Sequence, residues 1–452
     1  MKTRVTRLFI LFLLFAGGLS LAVSADQQTV TEFDISLNQS LLNIWYPLTV
    51  DTACGGFLSD FDYAWKPNGP QNKMIVTQTR HLWTTSEAAL FTHQPVYREY
   101  AIHGYRFLKE KMWDDSCGGF YTRIDRKGHS IPGQGQSKMA YGNAFAIYSL
   151  AAYFHLTQDS SALELAQETF HWLDRHSYDA EYKGYLNELN RDGSWTVPDK
   201  NSTASYLVSK PLWKDYNTSI HLLEAFTELY KIWPDSLLRA RLEETLSIIQ
   251  NIMVDEKGYL KLYFTRDWKH VSYLDSSEAV RKANSYYDHV SFGHDVETAY
   301  LMLEASSALG RKSDPHMMST AVKLMDHALA NGWDKRKGGF YEAGYYFNGS
   351  DAISIINSVK TWWVEAEGMN ALLLMSKLFP DDKKYSDAFQ KQWTYIKTYL
   401  IDHEHGGWYM EGLDISPDKE KAPKAYEWKV NYHTARTLMN CIRLLKGEHE
   451  LL

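Results

Sequence analysis

Lys337-Gly338-Gly339-Phe340-Tyr341 is one of six closely similar stretches, and their recurrence decides the fold. The others are Cys54-Gly55-Gly56-Phe57, Cys117-Gly118-Gly119-Phe120-Tyr121, Lys183-Gly184-Tyr185, Lys257-Gly258-Tyr259 and His405-Gly406-Gly407-Trp408-Tyr409. From Gly56 to Gly407, the glycines that precede the aromatics are spaced 63, 65, 74, 81 and 68 residues apart. A regular long period of this kind marks a structural repeat. Glycine takes backbone angles closed to other residues, which predicts a tight turn or short hairpin, and the aromatic anchors that turn to a core.

Between the markers the pattern is helical. Apolar residues recur three and four apart, strong helix formers dominate, and long period-two runs are absent. Residues 140–154 pair with 163–176, 220–232 with 237–254, 296–309 with 317–332, and 365–378 with 385–401. Two-helix repeats form either an open solenoid or a closed ring. Six repeats of this length favour a closed double ring, with inner helices walling a central cavity. Residues 26–452 are expected to form that single domain.

Outside the repeat, Lys2, Arg4 and Arg7 precede the apolar run from Leu8 to Ala16. Val23 and Ala25 then stand at minus three and minus one of a cleavage site. These are the three parts of a secretory leader, so residues 1–25 predict export, with a periplasmic destination in a Gram-negative cell. The run is too short for a membrane anchor and is broken by Gly17, Gly18 and Ser20. No stable membrane insertion is expected after cleavage. The 452 residues carry a net charge of −7 with no basic stripe, which argues against nucleic acid as a partner. A monomer is expected. The three cysteines, Cys54, Cys117 and Cys441, are too few for a disulfide framework, although Cys54 and Cys117 occupy matching places in two repeats. With 15 Trp, 30 Tyr and 19 Phe, the chain has aromatic rings enough to line a cleft that stacks on sugar faces.

Polar residues recur near the start of the first helix of each pair. Arg80 and Trp83 lie in Thr79-Arg80-His81-Leu82-Trp83, His221 in Asn217-Thr218-Ser219-Ile220-His221, and His294 in His294-Asp295-Val296-Glu297. Trp362 and Trp363 precede Glu365 and Glu367, and His433 follows Val430-Asn431-Tyr432. His221, His294, Trp363 and His433 are 73, 69 and 70 residues apart, so equivalent helix ends should aim them at one mouth of the ring. Glu224 and Glu297 lie three residues after His221 and His294, which predicts two His/Glu pairs on shared helix faces. A carboxylate beside an imidazole fixes its tautomer and raises its basicity.

Histidines, an arginine and stacking aromatics suit removal of the acidic proton at carbon 2 of an open-chain aldose. Arg80 is suited to the enediolate oxygens that develop. Reprotonation of carbon 2 from the opposite face gives an epimer, whereas protonation at carbon 1 gives a ketose. Two other readings stay open. An exported glycoside hydrolase would need a carboxylate pair, for which Asp288, Asp295 and Glu365 are candidates. A noncatalytic glycan-binding protein would need the aromatics but not the histidines.

On these stretches, together with Trp362-Trp363-Val364-Glu365-Ala366-Glu367 and Trp428-Lys429-Val430-Asn431-Tyr432-His433, the chain resembles the N-acylglucosamine 2-epimerase superfamily, especially its cellobiose 2-epimerase branch. The resemblance spans nearly all of residues 26–452. It implies an all-α (α/α)6 barrel with no metal or organic cofactor, acting on a small disaccharide or oligosaccharide. His294 and His433 resemble the two proton-transfer histidines, Arg80 the residue that holds the enediolate, and His221 a supporting histidine oriented with Glu224 and Glu297. Trp363 and Trp428 are expected as sugar platforms, Trp362 as packing or platform, and Asn143 as a further cavity residue. The branch implied epimerises the reducing-end sugar of a β-1,4-linked disaccharide such as cellobiose or mannobiose. Aldose–ketose isomerases of mannose type belong to the same superfamily.

Overall fold

The computed structural model describes residues 25–131, 136–197, 209–347 and 351–451. The leader reading falls outside them except at Ala25, where the first helix begins. Among the described residues, twelve helices of eleven residues or more build the barrel: α1 (Ala25–Ile35), α2 (Ile75–Thr92), α3 (Pro95–Phe107), α4 (Ala140–Thr157), α5 (Ser160–His176) and α6 (Tyr216–Ile232). They continue as α7 (Ser236–Ile248), α8 (Phe292–Ala308), α9 (Pro315–Asn331), α10 (Trp362–Leu378), α11 (Lys383–Tyr399) and α12 (Tyr432–Lys446).

Even-numbered helices make the inner ring. Each packs on the next from α2 to α12, and α12 returns to α2 to close the circle. Odd-numbered helices back them: α3 on α2, α5 on α4, α7 on α6, α9 on α8, α11 on α10, and α1 on α12. The architecture is the all-α (α/α)6 barrel of paired helices. Its sixth pair joins the first and last of these helices, so the outer ring is completed by α1 packing on α12. Among the described residues, no helix is long and apolar enough to cross a membrane.

The two rings have different surfaces for a physical reason. Every residue of α4 from Ala140 to Tyr153 is buried, as expected of a helix with neighbours on all sides. The outer helices have one wet face, and four of them start at acidic caps. Asp159, Asp235, Asp314 and Asp382 each accept a backbone N–H in the first turn. The inner helices begin earlier than apolar spacing suggests: α6 at Tyr216, α8 at Phe292 and α10 at Trp362. Their first turns carry polar groups into the cavity, so the apolar pattern starts one turn late.

Short antiparallel pairs precede the inner helices, with Lys73 opposite Ile124, Lys138 opposite Leu189, Lys214 opposite Phe264 and Val290 opposite Gly344. Among the described residues, only the last of these sheets gains a third strand, Ile353–Asn357. The glycine turns sit against the outer helices. At Gly119, φ is +72°, and an added Cβ would meet the Trp172 ring at 2.7 Å, so both conformation and space demand glycine.

A buried lysine braces most of these turns. Lys138 Nζ bonds Asp114 at 3.0 Å and the Gly118 carbonyl, while Arg191 reaches the same carboxylate at 2.9 Å. Lys73 on Asp51, Lys214 on Asp179, Lys360 on Asp334 and Lys424 on Asp402 repeat the device. In the fourth repeat Val290 stands where the others place the strand lysine. Burial alone would raise the Asp114 carboxyl, but Arg191 and Lys138 hold it well below the usual carboxylate range. Replacing Lys138 by Met leaves that carboxylate with Arg191 alone. We expect a loss of about 3 kcal/mol in urea unfolding, at the low end for a broken buried pair.

Cys54, Cys117 and Cys441 are all free thiols, so the matched positions of the first two do not form a disulfide.

Candidate active site

At the N-terminal ends of the inner helices lies a cavity of about 200 Å³ lined by Arg80, Tyr141, Asn217, His221, His294, Glu297, Trp362, Trp363, Tyr426, Trp428 and His433. Four helices supply the ionisable groups: α2 gives Arg80, α6 His221, α8 His294 and Glu297, and α12 His433. The structure therefore brings the three singled-out histidines and Arg80 to one place.

Each imidazole is fixed through Nδ1. His221 bonds Glu224 at 2.9 Å, His294 bonds Ser291 Oγ at 2.7 Å, and His433 bonds Glu367 at 2.6 Å. Among the described residues, Nε2 of each ring has no hydrogen-bond partner. The Trp363 indole touches both outer members of the set, its ring centre 4.6 Å from His294 and 5.9 Å from His433. Burial pushes all three imidazoles below the usual histidine range, His433 to about 4 and His294 well below that range. Neutral rings with a free lone pair are what a general base requires.

Arg80 donates to the Trp428 carbonyl at 3.1 Å and the Tyr141 hydroxyl at 3.0 Å. Its guanidinium lies 4.6 Å from the Phe145 ring centre and 5.3 Å from that of Tyr432. It has no carboxylate partner among the described residues. Its charge is thus available to an oxygen that becomes negative in the cavity.

One helical turn deeper is a second polar layer. Arg436 Nη2 donates to Glu297 and Glu367, each at 2.7 Å, and Nη1 bonds Glu224 and the Tyr432 hydroxyl. Tyr432 donates to Glu224 at 2.6 Å and Tyr300 to Glu367 at 2.5 Å. One guanidinium therefore serves three buried carboxyls, and these do not stay equally charged. Burial raises every one, but Arg436 and His221 bring Glu224 down to about 2. Arg436 and His433 also lower Glu367. Burial and the Glu367 charge push Glu297 up to about 8, so it keeps its proton near neutrality.

A sign follows for stability. A carboxyl held protonated in the fold binds more protons than its unfolded counterpart between pH 4.5 and about 8, so stability falls as pH rises through that window. Glutamine is isosteric with the protonated acid. We expect Glu297→Gln to show a shallower decline in urea midpoint than the parent from pH 5 to 8. Parallel curves would mean that Glu297 is already ionised.

Two pairings differ from the sequence expectation. Glu297 does not orient His294; that imidazole rests on Ser291, and Glu297 is drawn to Arg436 across the barrel, with His433 3.9 Å away. Asn143 does not face the cavity. Its Oδ1 accepts the Phe120 N–H at 2.8 Å and its Nδ2 donates to the Met139 carbonyl, latching a glycine turn onto α4. Gln78, Asp295 and Glu365 accept from Phe57, Leu260 and Phe340 in the same way. Asp295 and Glu365, which a hydrolase could have used, are therefore turn latches. Asp288 accepts the Tyr273 N–H and the Tyr345 hydroxyl. None of these three acids lines the cavity.

Trp363 and Trp428 are half-buried cavity walls, while Trp362, which also lines the cavity, is buried beside Lys429. Glu367, Arg436, Tyr141 and Ser291 went unassigned in the sequence. The signal for two of them was present: Arg436 is three residues past His433 and Glu367 four past Trp363, each one turn below a mouth residue. Glu297, Glu367 and His433 also hold three ligand-capable atoms within 4.8 Å. Arg436 occupies that corner, and a metal there would have to displace its guanidinium.

The profile of the N-acylglucosamine 2-epimerase (GlcNAc 2-epimerase) family matches residues 55–437. A cellobiose 2-epimerase of Bacteroides fragilis is 28% identical, covering 93% of this chain and 99% of that protein. A D-mannose isomerase of Marinomonas mediterranea is 24% identical over 93% and 98% of the two chains. The structure of a cellobiose 2-epimerase from Bacillus thermoamylovorans superposes with a TM-score of 0.79 at 26% identity, covering 92% of this chain and 99% of that one.

Proposed function

Because this chain belongs to the N-acylglucosamine 2-epimerase family, we propose that it is a sugar 2-epimerase acting on the reducing end of a β-1,4-linked disaccharide such as cellobiose or mannobiose. The observation that carries the reading is the convergence of His294, His433 and Arg80 on one cavity. The pair works with one imidazole neutral and the other protonated. The neutral ring removes the carbon 2 proton, and the C–H electrons move into the carbonyl to give an enediolate. Arg80 meets the negative oxygen. Delivery of a proton by the other ring to the opposite face of carbon 2 inverts it, and the roles exchange in the reverse reaction. Glu367 behind His433 offsets part of the cost of forming an imidazolium in a dry site. Trp363 and Trp428 hold the sugar rings. Export, and a single catalytic domain over residues 26–452 acting as a monomer without a cofactor, complete the proposal.

The likeness to D-mannose isomerases keeps one second reading, protonation at carbon 1 to give a ketose. Incubation with cellobiose or mannobiose in heavy water, followed by NMR, separates the two. We expect deuterium at carbon 2 of the reducing-end sugar in an epimeric product with its glycosidic bond intact. Ketose as the main product would assign the isomerase reading, and released monosaccharide would defeat both.

A further inference from the structure

The inner face that carries the catalytic groups does not turn apolar below them. Further down the same helices, α2 adds Trp83, α4 Tyr148, α6 Glu228 and Lys231, α8 Glu304 and α12 Arg443. They wall a second cavity of about 420 Å³ at the opposite mouth of the barrel, larger than the catalytic one. The Arg436 layer separates the two: its guanidinium lines the lower cavity and bonds Glu297, which lines the upper.

Cations are outnumbered in the lower cavity. Lys231 Nζ is shared by Glu228 at 2.7 Å and Glu450 at 2.8 Å, and Arg443 is taken by Glu87 at 3.0 Å. Arg436 is committed to the three carboxyls of the layer above. Glu304 is left with no hydrogen-bond or ion-pair partner among the described residues. Burial pushes its carboxyl up to about 8; Lys231 and Arg436 pull it down, and the Glu450 and Glu228 charges push it up. Glu448, His155 and His449 complete the rim, and burial brings His449 down to about 4, so that ring is neutral. The inner helices α6 and α8 also end at this mouth, and their carbonyl ends add to the negative potential.

Two donors line the same space. Trp83 is 7% exposed and Tyr148 6%, with their rings 5.5 Å apart and nearly parallel. Neither Trp83 Nε1 nor the Tyr148 hydroxyl has a hydrogen-bond partner among the described residues. A buried N–H and O–H without an acceptor carry a desolvation cost that a ligand oxygen would offset.

We propose that this lower cavity is a binding site for a small amino alcohol in its ammonium form. The ammonium sits against Glu304 and the carboxylates that share Lys231, and the hydroxyl oxygen accepts from Trp83 Nε1 and Tyr148. An anion meets the excess of acids, and a neutral polyol leaves Glu304 without a countercharge. The incoming charge lets Glu304 ionise, so a proton leaves as the amine binds. The site does not depend on the epimerase reading.

The probe is ethanolamine, titrated calorimetrically into the full-length protein. Ethylamine, which lacks the hydroxyl, and ethylene glycol, which lacks the charge, are titrated beside it. We expect one ethanolamine site, with each control bound about tenfold more weakly, the worth of one good hydrogen bond. Titrations at pH 7 in two buffers of different ionisation enthalpy should show proton release. In Glu304→Gln that release should vanish and ethanolamine should bind about tenfold more weakly, as expected for one lost charge-assisted hydrogen bond. Glutamine is isosteric with the protonated acid, so the variant keeps the fold. No binding of ethanolamine, equal binding of either control, or parent-like affinity in Glu304→Gln would overturn the site. Displacement of ethanolamine by cellobiose would also overturn it, by placing the amine in the catalytic cavity.

Discussion

Replacing His433 by Asn should lower carbon 2 exchange by about 10³-fold, within the range lost when a positioned general acid or base is removed. The prediction follows from the bonding of the ring. Glu367 fixes Nδ1 at 2.6 Å, which leaves Nε2 as the group that faces substrate. Asparagine keeps a polar group of similar reach but has no lone pair basic enough to take a proton from carbon. His294→Asn should fall comparably, because inversion needs a donor on the opposite face. Sugar binding should survive in both variants, since Trp363 and Trp428 remain. The check is deuterium uptake beside a binding titration. Near-normal exchange in both variants would remove these residues from the chemistry. Exchange lost from only one would point to a single base that serves both faces.

Arg436→Met should be the most destabilising single substitution in the barrel, costing about 3–5 kcal/mol in urea unfolding. A domain with a net stability of roughly 5–15 kcal/mol would lose a large share of it. Arg436 is 3% exposed and is the partner of Glu224, Glu297 and Glu367 together. Methionine fills much of the volume but leaves two carboxylates that the guanidinium had kept ionised. They must then take up protons or remain buried and uncompensated. Arg436→Lys should lose less, because it keeps a charge but not the fork that bonds two sides at once. Adding Glu367→Gln to Arg436→Met should recover part of the loss. Parent-like stability of Arg436→Met alone would show that these carboxyls do not depend on it.

Much of this site could be read from the chain because the repeat fixes height along the barrel axis. His221, His294, Trp363 and His433 recur at nearly constant intervals, and in the structure all four stand at one mouth. The same logic carries the deeper layer, since Glu224, Glu297, Glu367 and Arg436 each follow a mouth residue by one helical turn. Position along a helix says less about partners across the ring. Glu297 shares a helix face with His294 but bonds Arg436, because that buried guanidinium is a stronger attraction than a neutral imidazole. Asn143 begins an inner helix as the site residues do. It is rotated toward a glycine turn whose unpaired N–H it satisfies, a demand that local spacing does not reveal.

The sequence by itself determined the number of hairpins, the place of the glycine turns and the level at which the polar side chains enter. All of these are periodic properties of a single strand of chain. The tertiary structure decided which acid faces which base, that α1 completes the ring by packing on α12, and that Glu297 keeps a proton while its neighbours do not. Those outcomes depend on distances between segments far apart in the chain and on how completely water is excluded from them.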